Sequence, residues 1–126
     1  MFTITQKGSI GPLKIGMSIN DAFSILGDYT KFKRTPETEE SVYAFDSDHI
    51  HLTCNSLNEI VTISVFRPES ALFKGVELLG GNLVDTCTHL AKLEVLIEEA
   101  ESGAWIPSHK ILLVEVEGSI DGIEIG

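Results

Sequence analysis

The stretch Gly11–Gly27, GPLKIGMSINDAFSILG, constrains this chain more than any other. Leu13 and Ile15 alternate with Lys14, the period of a half-buried strand. Gly16 and Met17 break that strand, and Ser18 is placed to cap a helix by accepting from the amide of Asn20 or Asp21. Asp21 puts a carboxylate in the first turn, where the helix end is partly positive. Ile19, Ala22, Phe23 and Leu26 share one face, and Gly27 is expected to stop the helix in a left-handed conformation.

The same scheme returns at Gly75–Ala91, GVELLGGNLVDTCTHLA. Aligning the two stretches sets Leu79 on Ile15, Gly80 on Gly16, Asn82 on Ser18, Leu83 on Ile19, Asp85 on Asp21 and Leu90 on Leu26. The alignment continues with Trp105 on Tyr43, Ile111–Val116 on the strand at Ile50, and Ile120, Ile123 and Ile125 on Ile60, Ile63 and Val65. On this alignment Trp105 is expected in the core. The second helix ends near Ala91 if it follows the first. LAKLEVLIEEAE is rich in helix formers and would let it run on to Ala100.

Between these helices the chain reads as strands and tight turns. Met1–Thr5 is an opening strand, and Asp28–Ser41 is polar and irregular, with a short strand around Tyr29–Lys33. Val42–Phe45, Ile50–Cys54 and Ile60–Val65 form three antiparallel strands joined at Ser47–Asp48 and Asn55–Asn58. The expected fold is α+β: a single domain, 1–126, of two strand-helix-three-strand repeats, about 1–68 and 69–126. They form one antiparallel sheet with both helices on one face. The other face, carrying residues such as Thr62, Ser64, Glu115 and Glu124, is expected to be more solvated.

A chain of 126 residues buries roughly two-thirds of its unfolded surface and needs no disulfide or metal to fold. Cys54 and Cys87 make no disulfide pattern and are expected to be reduced and buried. No apolar run approaches the ~20 residues of a membrane helix, and MFTITQKG lacks the basic and apolar blocks of a signal peptide. The cytoplasm is the expected address. The net charge of −10 disfavours nucleic acid and anionic membranes as partners and suits a cationic one.

The pattern of strand, Gly16-Met17-Ser18, Asp21 and Leu26-Gly27, followed by an acidic loop and the hairpin ending IVTISVF, resembles small bacterial immunity proteins of polymorphic and contact-dependent growth inhibition toxin systems. Related helix-on-sheet repeats occur in the lipoprotein that assists barrel assembly and in proteinaceous inhibitors of beta-lactamase. The chain lacks the lipoprotein's lipidation signal and early cysteine. The second copy departs from the pattern, with Gly81 for Met17 and Ala91 for Gly27. The resemblance implies a non-catalytic protein that neutralises a cognate toxin by occluding its active site.

The charge adds a mechanism: many such toxins act on nucleic acid and present a basic cleft that an acidic partner can fill. The residues expected to meet it are Glu37, Glu39, Glu40, Asp46 and Asp48, with Glu98, Glu99 and Glu101 as a second cluster. No cofactor is implied, and the chain is expected to be a monomer or weak homodimer. Two other classes fit particular residues. His49 and His51, two apart on a strand, would share a face and could serve a small metal enzyme. Ile120–Ile125 has the apolar character of an edge strand and could pair with another chain in an assembly module.

Overall fold

A computed structural model describes residues 1–126 and shows a mixed α+β protein dominated by antiparallel strands. Strand β1 (Phe2–Ile4) leads to the hairpin β2 (Ser9–Ile10) and β3 (Leu13–Lys14), then to helix α1 (Ile19–Phe23). Four strands follow: β4 (Thr30–Phe32), β5 (Ser41–Phe45), β6 (Ile50–Cys54) and β7 (Ile60–Phe66). The second half opens on the hairpin β8 (Ala71–Phe73) and β9 (Val76–Glu77), followed by helix α2 (Leu83–Lys92). It closes with β10 (Glu98–Ala100), β11 (Gly103–Ile106), β12 (Ile111–Val116) and β13 (Ser119–Ile125). Each half thus places four strands after its helix, not three, because Thr30–Phe32 and Glu98–Ala100 add an outer strand.

The eight strands form one antiparallel sheet in the order β10-β11-β12-β13-β7-β6-β5-β4. The halves meet at β7 and β13, where Ile63 lies opposite Ile125, Ser64 opposite Glu124 and Val65 opposite Ile123. β13 is therefore internal, bonded to β12 on one side and β7 on the other. The expectation that Ile120–Ile125 forms an edge fails because both of its hydrogen-bonding sides are occupied. A parallel pair, β1 with β8, ties the halves again outside the main sheet.

The helix entries are built alike. Gly16 N donates to the Ile60 carbonyl at 2.7 Å, and Ile60 N donates back to the Met17 carbonyl at 2.9 Å. Gly80 N donates to the Ile120 carbonyl at 2.8 Å, and Ile120 N donates to the Gly81 carbonyl at 2.9 Å. Gly16 and Gly80 both have positive φ, +89° and +84°, which lets the chain turn from the strand into the cap without a Cβ penalty. Ser18 Oγ accepts from Asn20 N at 3.3 Å, and Asn82 Oδ1 accepts from Asp85 N at 3.1 Å.

The helices end differently. α1 stops at Phe23, short of Leu26, and Gly27 is not left-handed; its amide donates to Asp48 Oδ2 at 3.2 Å, anchoring the loop to the β5–β6 turn. α2 runs to Lys92, and Glu94 takes the left-handed position after it at φ 64°. The segment LEVLIEEAE does not continue the helix: Glu98–Ala100 pairs with β11 instead.

Both helices bury their apolar stripes on one face of the sheet. Ile19, Ala22 and Leu90 join Phe45, Leu52, Ile63, Ile106, Leu113 and Ile123 in one continuous core drawn from both halves. Ile63, Val65, Ile123 and Ile125 are fully buried and Glu124 on the opposite face is half-buried, but Ser64, expected to be solvated, is itself buried at 1% exposure because Phe66 and His51 cover that face.

Candidate functional site

A groove of about 760 Å³ lies between α2 and the sheet edge β10–β11. Its floor is apolar: Leu83, Cys87 and Ala91 from α2, Val95 and Ile97 from the following loop, and Ala104 from β11. Its mouth carries the exposed carboxylates Glu99, Glu101 and Glu115, while Glu98 borders it from β10 but pairs with Trp105 on the other face, and no lysine or arginine lines it. The groove exists because α2 lies over an edge whose side chains are short. Ala100, Gly103 and Ala104 cannot fill the space beneath the helix. Burial raises the Cys87 thiol above its usual pKa, so the floor is neutral while the rim is charged.

Of the second acidic cluster, Glu98, Glu99 and Glu101, the last two belong to this groove, while Glu98 faces the other side of the sheet beside Trp105. The first cluster does not join the groove. Glu37, Glu39 and Glu40 sit exposed on the loop leaving β4, the opposite outer strand, on the order of 30 Å away along the sheet. Asp46 and Asp48 occupy a 3-10 turn at the far end of β5 from Glu40, so the first cluster is itself split. Asp48 is engaged in holding the Gly27 amide. A shallow concavity of about 150 Å³ beside Asp46 is bounded by Asp28, Tyr29 and Thr30.

The helix-free face of the sheet is less polar than its alternation suggests. His51 lies edge-on to Phe66, with ring centroids 4.9 Å apart, and to Phe32 at 6.1 Å. Burial lowers the His51 pKa; nearby Asp46 opposes that shift and Arg34 adds to it. Trp105 is half-buried outside the continuous core, on this face, opposite Leu112 and Glu98. The reason is register. Phe45 and Ile106 lie across from Ile50 and Ile111, and Tyr43 and Ala104 across from Leu52 and Leu113. Trp105 therefore matches Ala44, not Tyr43, and a one-residue offset reverses the face.

His49 and His51 do not form the expected pair. His49 caps the 3-10 turn in a left-handed conformation, φ 56°, outside β6, so strand alternation does not carry it to the face of His51. No group of three or more His, Cys, Asp or Glu side chains converges as a metal site. Cys54 is fully buried, with its thiol pushed up to about 11 by burial, and Cys87 is half-buried; neither is in a disulfide.

The floor of the groove escaped the sequence reading. Its signal lay in LEVLI, whose apolar residues follow a helix that cannot bury them all: Leu93 and Leu96 remain 42% and 67% exposed. No helix is long and apolar enough to cross a membrane. Comparison with protein-family models, curated proteins and solved structures finds no match to this chain.

Proposed function

We propose that this chain is a non-catalytic immunity protein that binds a basic bacterial toxin in the cytoplasm as a one-to-one complex and covers the toxin's active site. The observation that carries this reading is the α2–β10 groove, with its apolar floor under a rim of Glu99, Glu101 and Glu115. An apolar slot rimmed by one sign of charge suits a protein segment with an apolar anchor and cationic flanks. The net charge of −10 steers such a partner inward, and rim carboxylates then accept charge-assisted hydrogen bonds from its lysines or arginines. The resemblance of Gly16-Met17-Ser18, Asp21 and Leu26-Gly27 to toxin-immunity proteins supplies the partner's class.

The test is capture followed by neutralisation. Tagged protein is used to isolate its partner from the source strain, and the captured protein is expressed alone and together with this chain. A basic partner that arrests growth alone, and does not in the pair, is the expected result. A partner that is acidic, or whose toxicity this chain leaves unchanged, overturns the reading. Charge reversal separates the two acidic clusters. E39K/E40K is expected to slow association only, whereas E99K/E101K slows association and also speeds dissociation.

A further inference from the structure

The floor of the groove is assembled from positions that hold aromatic rings in the other half of the molecule. Ala104 stands across from Leu113 as Tyr43 stands across from Leu52. Glu99 pairs with Ala104 as Lys31 pairs with Tyr43. Cys87 lies as far beyond the cap Asn82 as Phe23 lies beyond the cap Ser18, and Ile97 precedes Glu99 by the same interval as Tyr29 precedes Lys31.

In the first half these positions form an aromatic cluster that fills the space between helix and edge strands. Phe23 stacks on Tyr29 with centroids 4.4 Å apart, and Tyr43 stands edge-on to both, at 5.6 and 5.5 Å. Lys31 Nζ lies 5.5 Å from the centre of the Tyr43 ring. In the second half the three rings are replaced by a thiol, an aliphatic chain and a methyl group, and the ammonium by a carboxylate. Cys87, Ile97, Ala104 and Glu99 all line the open groove. The space between helix and edge strands is therefore shaped by the same backbone scheme, but its rings and its cation are missing.

Resting on the reading of a basic protein partner, we propose that the groove receives from that partner an aromatic side chain flanked by a lysine or arginine. The ring enters between Cys87, Ile97 and Ala104, where the first half has its own rings. The cation meets Glu99, at the place where the first half has Lys31. An aromatic anchor in a desolvated pocket with a polar rim is the usual composition of an interface hot spot. The carboxylates at the mouth select against an acidic or uncharged flank.

The probe is the N-acetylated, amidated tripeptide Lys-Tyr-Arg, titrated into isotope-labelled protein and followed by amide chemical shifts. Saturable shifts at Cys87, Ile97 and Ala104, with Phe23 and Tyr29 unmoved, are expected. Lys-Ala-Arg and Glu-Tyr-Glu are expected to bind at least about tenfold more weakly. Absence of saturation at those three amides, or equal binding of Lys-Ala-Arg, overturns the proposal. The double variant C87F/A104Y rebuilds the rings and is expected to lose the tripeptide and weaken the captured partner by about tenfold or more. If that variant does not fold, the comparison of tripeptides on the natural chain decides alone. A neutralised basic toxin bound equally well by folded C87F/A104Y overturns this inference and leaves the immunity reading standing. A partner whose toxicity is unaffected overturns the immunity reading, while the tripeptide result stands by itself.

Discussion

Phe23 stacks face to face on Tyr29, with ring planes 5° from parallel. This contact closes the end of α1 over β5, where Tyr43 and Phe45 complete the cluster. Removing a fully enclosed aromatic ring costs about 3–5 kcal/mol. Phe23 is only half-buried, so Phe23→Ala is expected to cost about 2 kcal/mol. Cys87→Ala, at the matching position over an already open groove, is expected to cost less than about 1 kcal/mol. Urea unfolding of the two variants checks the contrast, and equal losses would refute it.

Gly103 is fixed by contact as well as by its backbone, at φ +155°. A Cβ placed there would come within 2.2 Å of the Leu113 carbonyl oxygen on the neighbouring strand. That oxygen belongs to the β11–β12 ladder and cannot swing aside as a side chain can. Gly103→Ala is therefore expected to cost at least the upper end of the about 1–3 kcal/mol typical of overpacking. Gly118 has φ +87° and nothing within 4 Å, so Gly118→Ala carries only the left-handed penalty of about 1–2 kcal/mol. Thermal unfolding that ranks Gly118→Ala as the more damaging change would reverse this argument.

The local parts of this fold were legible in the sequence. Ser18 and Asn82 cap their helices, and the hairpin from Ile50 to Phe66 follows its turn residues, because each signal acts over a few residues. What depended on distant pairing was not. Glu98–Ala100 has the composition of a helix, yet it becomes an outer strand because β11 offers it a ladder, and tertiary pairing overrides weak propensity. The end of α2 carried no glycine; Glu94 supplies the left-handed residue. The position of β13 inside the sheet is set by β7, a strand far away in sequence, so its alternation alone could not distinguish centre from edge.

The candidate site was half visible for the same reason. Glu98, Glu99 and Glu101 stood out as a charge run, but only the last two rim the groove, which is defined by what is absent at Cys87 and Ala104. Those absences become apparent only when β11 is registered against β12. Matching Trp105 to Tyr43 put a large ring at the position where the structure has a methyl group.

The two caps differ in what they support. Asn82 Oδ1 holds the Asp85 amide at the start of a helix of ten residues, and that helix forms one wall of the groove. Ser18 caps a helix of only five residues that lines no such groove, and each helix start is also held by a backbone bond, Ile19 N to the Asn58 carbonyl and Leu83 N to the Gly118 carbonyl. Each cap removed as alanine costs about 1 kcal/mol. Asn82→Ala is expected in addition to loosen the groove wall, read as faster amide exchange at Cys87 and Thr88 relative to the sheet. Exchange that accelerates equally in β6 and β7 would mean global destabilisation only.

His51 makes stability depend on pH. It sits between Phe32 and Phe66, and burial is the main cause holding its pKa below the usual value of 6.5. Arg34 pushes in the same direction and Asp46 against it. His109, edge-on to Phe73 at 4.7 Å, is lowered as well, by burial and then by Lys74 and Lys7. A histidine whose folded pKa is depressed takes up its proton more readily in the unfolded chain. Stability is then unaffected well above the unfolded pKa and falls as the pH drops through it toward the folded pKa. The charge of −10 works the other way, since protonation relieves self-repulsion in the compact state. The informative quantity is therefore the difference between the natural chain and His51→Gln. From about pH 7.5 to about pH 5.5 the natural chain is expected to lose stability relative to the variant, and His51→Gln/His109→Gln widens the gap. Urea midpoints across that range measure it. A difference that stays constant, or shifts in favour of the natural chain on acidification, would show that the imidazole of His51 is not desolvated in the folded protein.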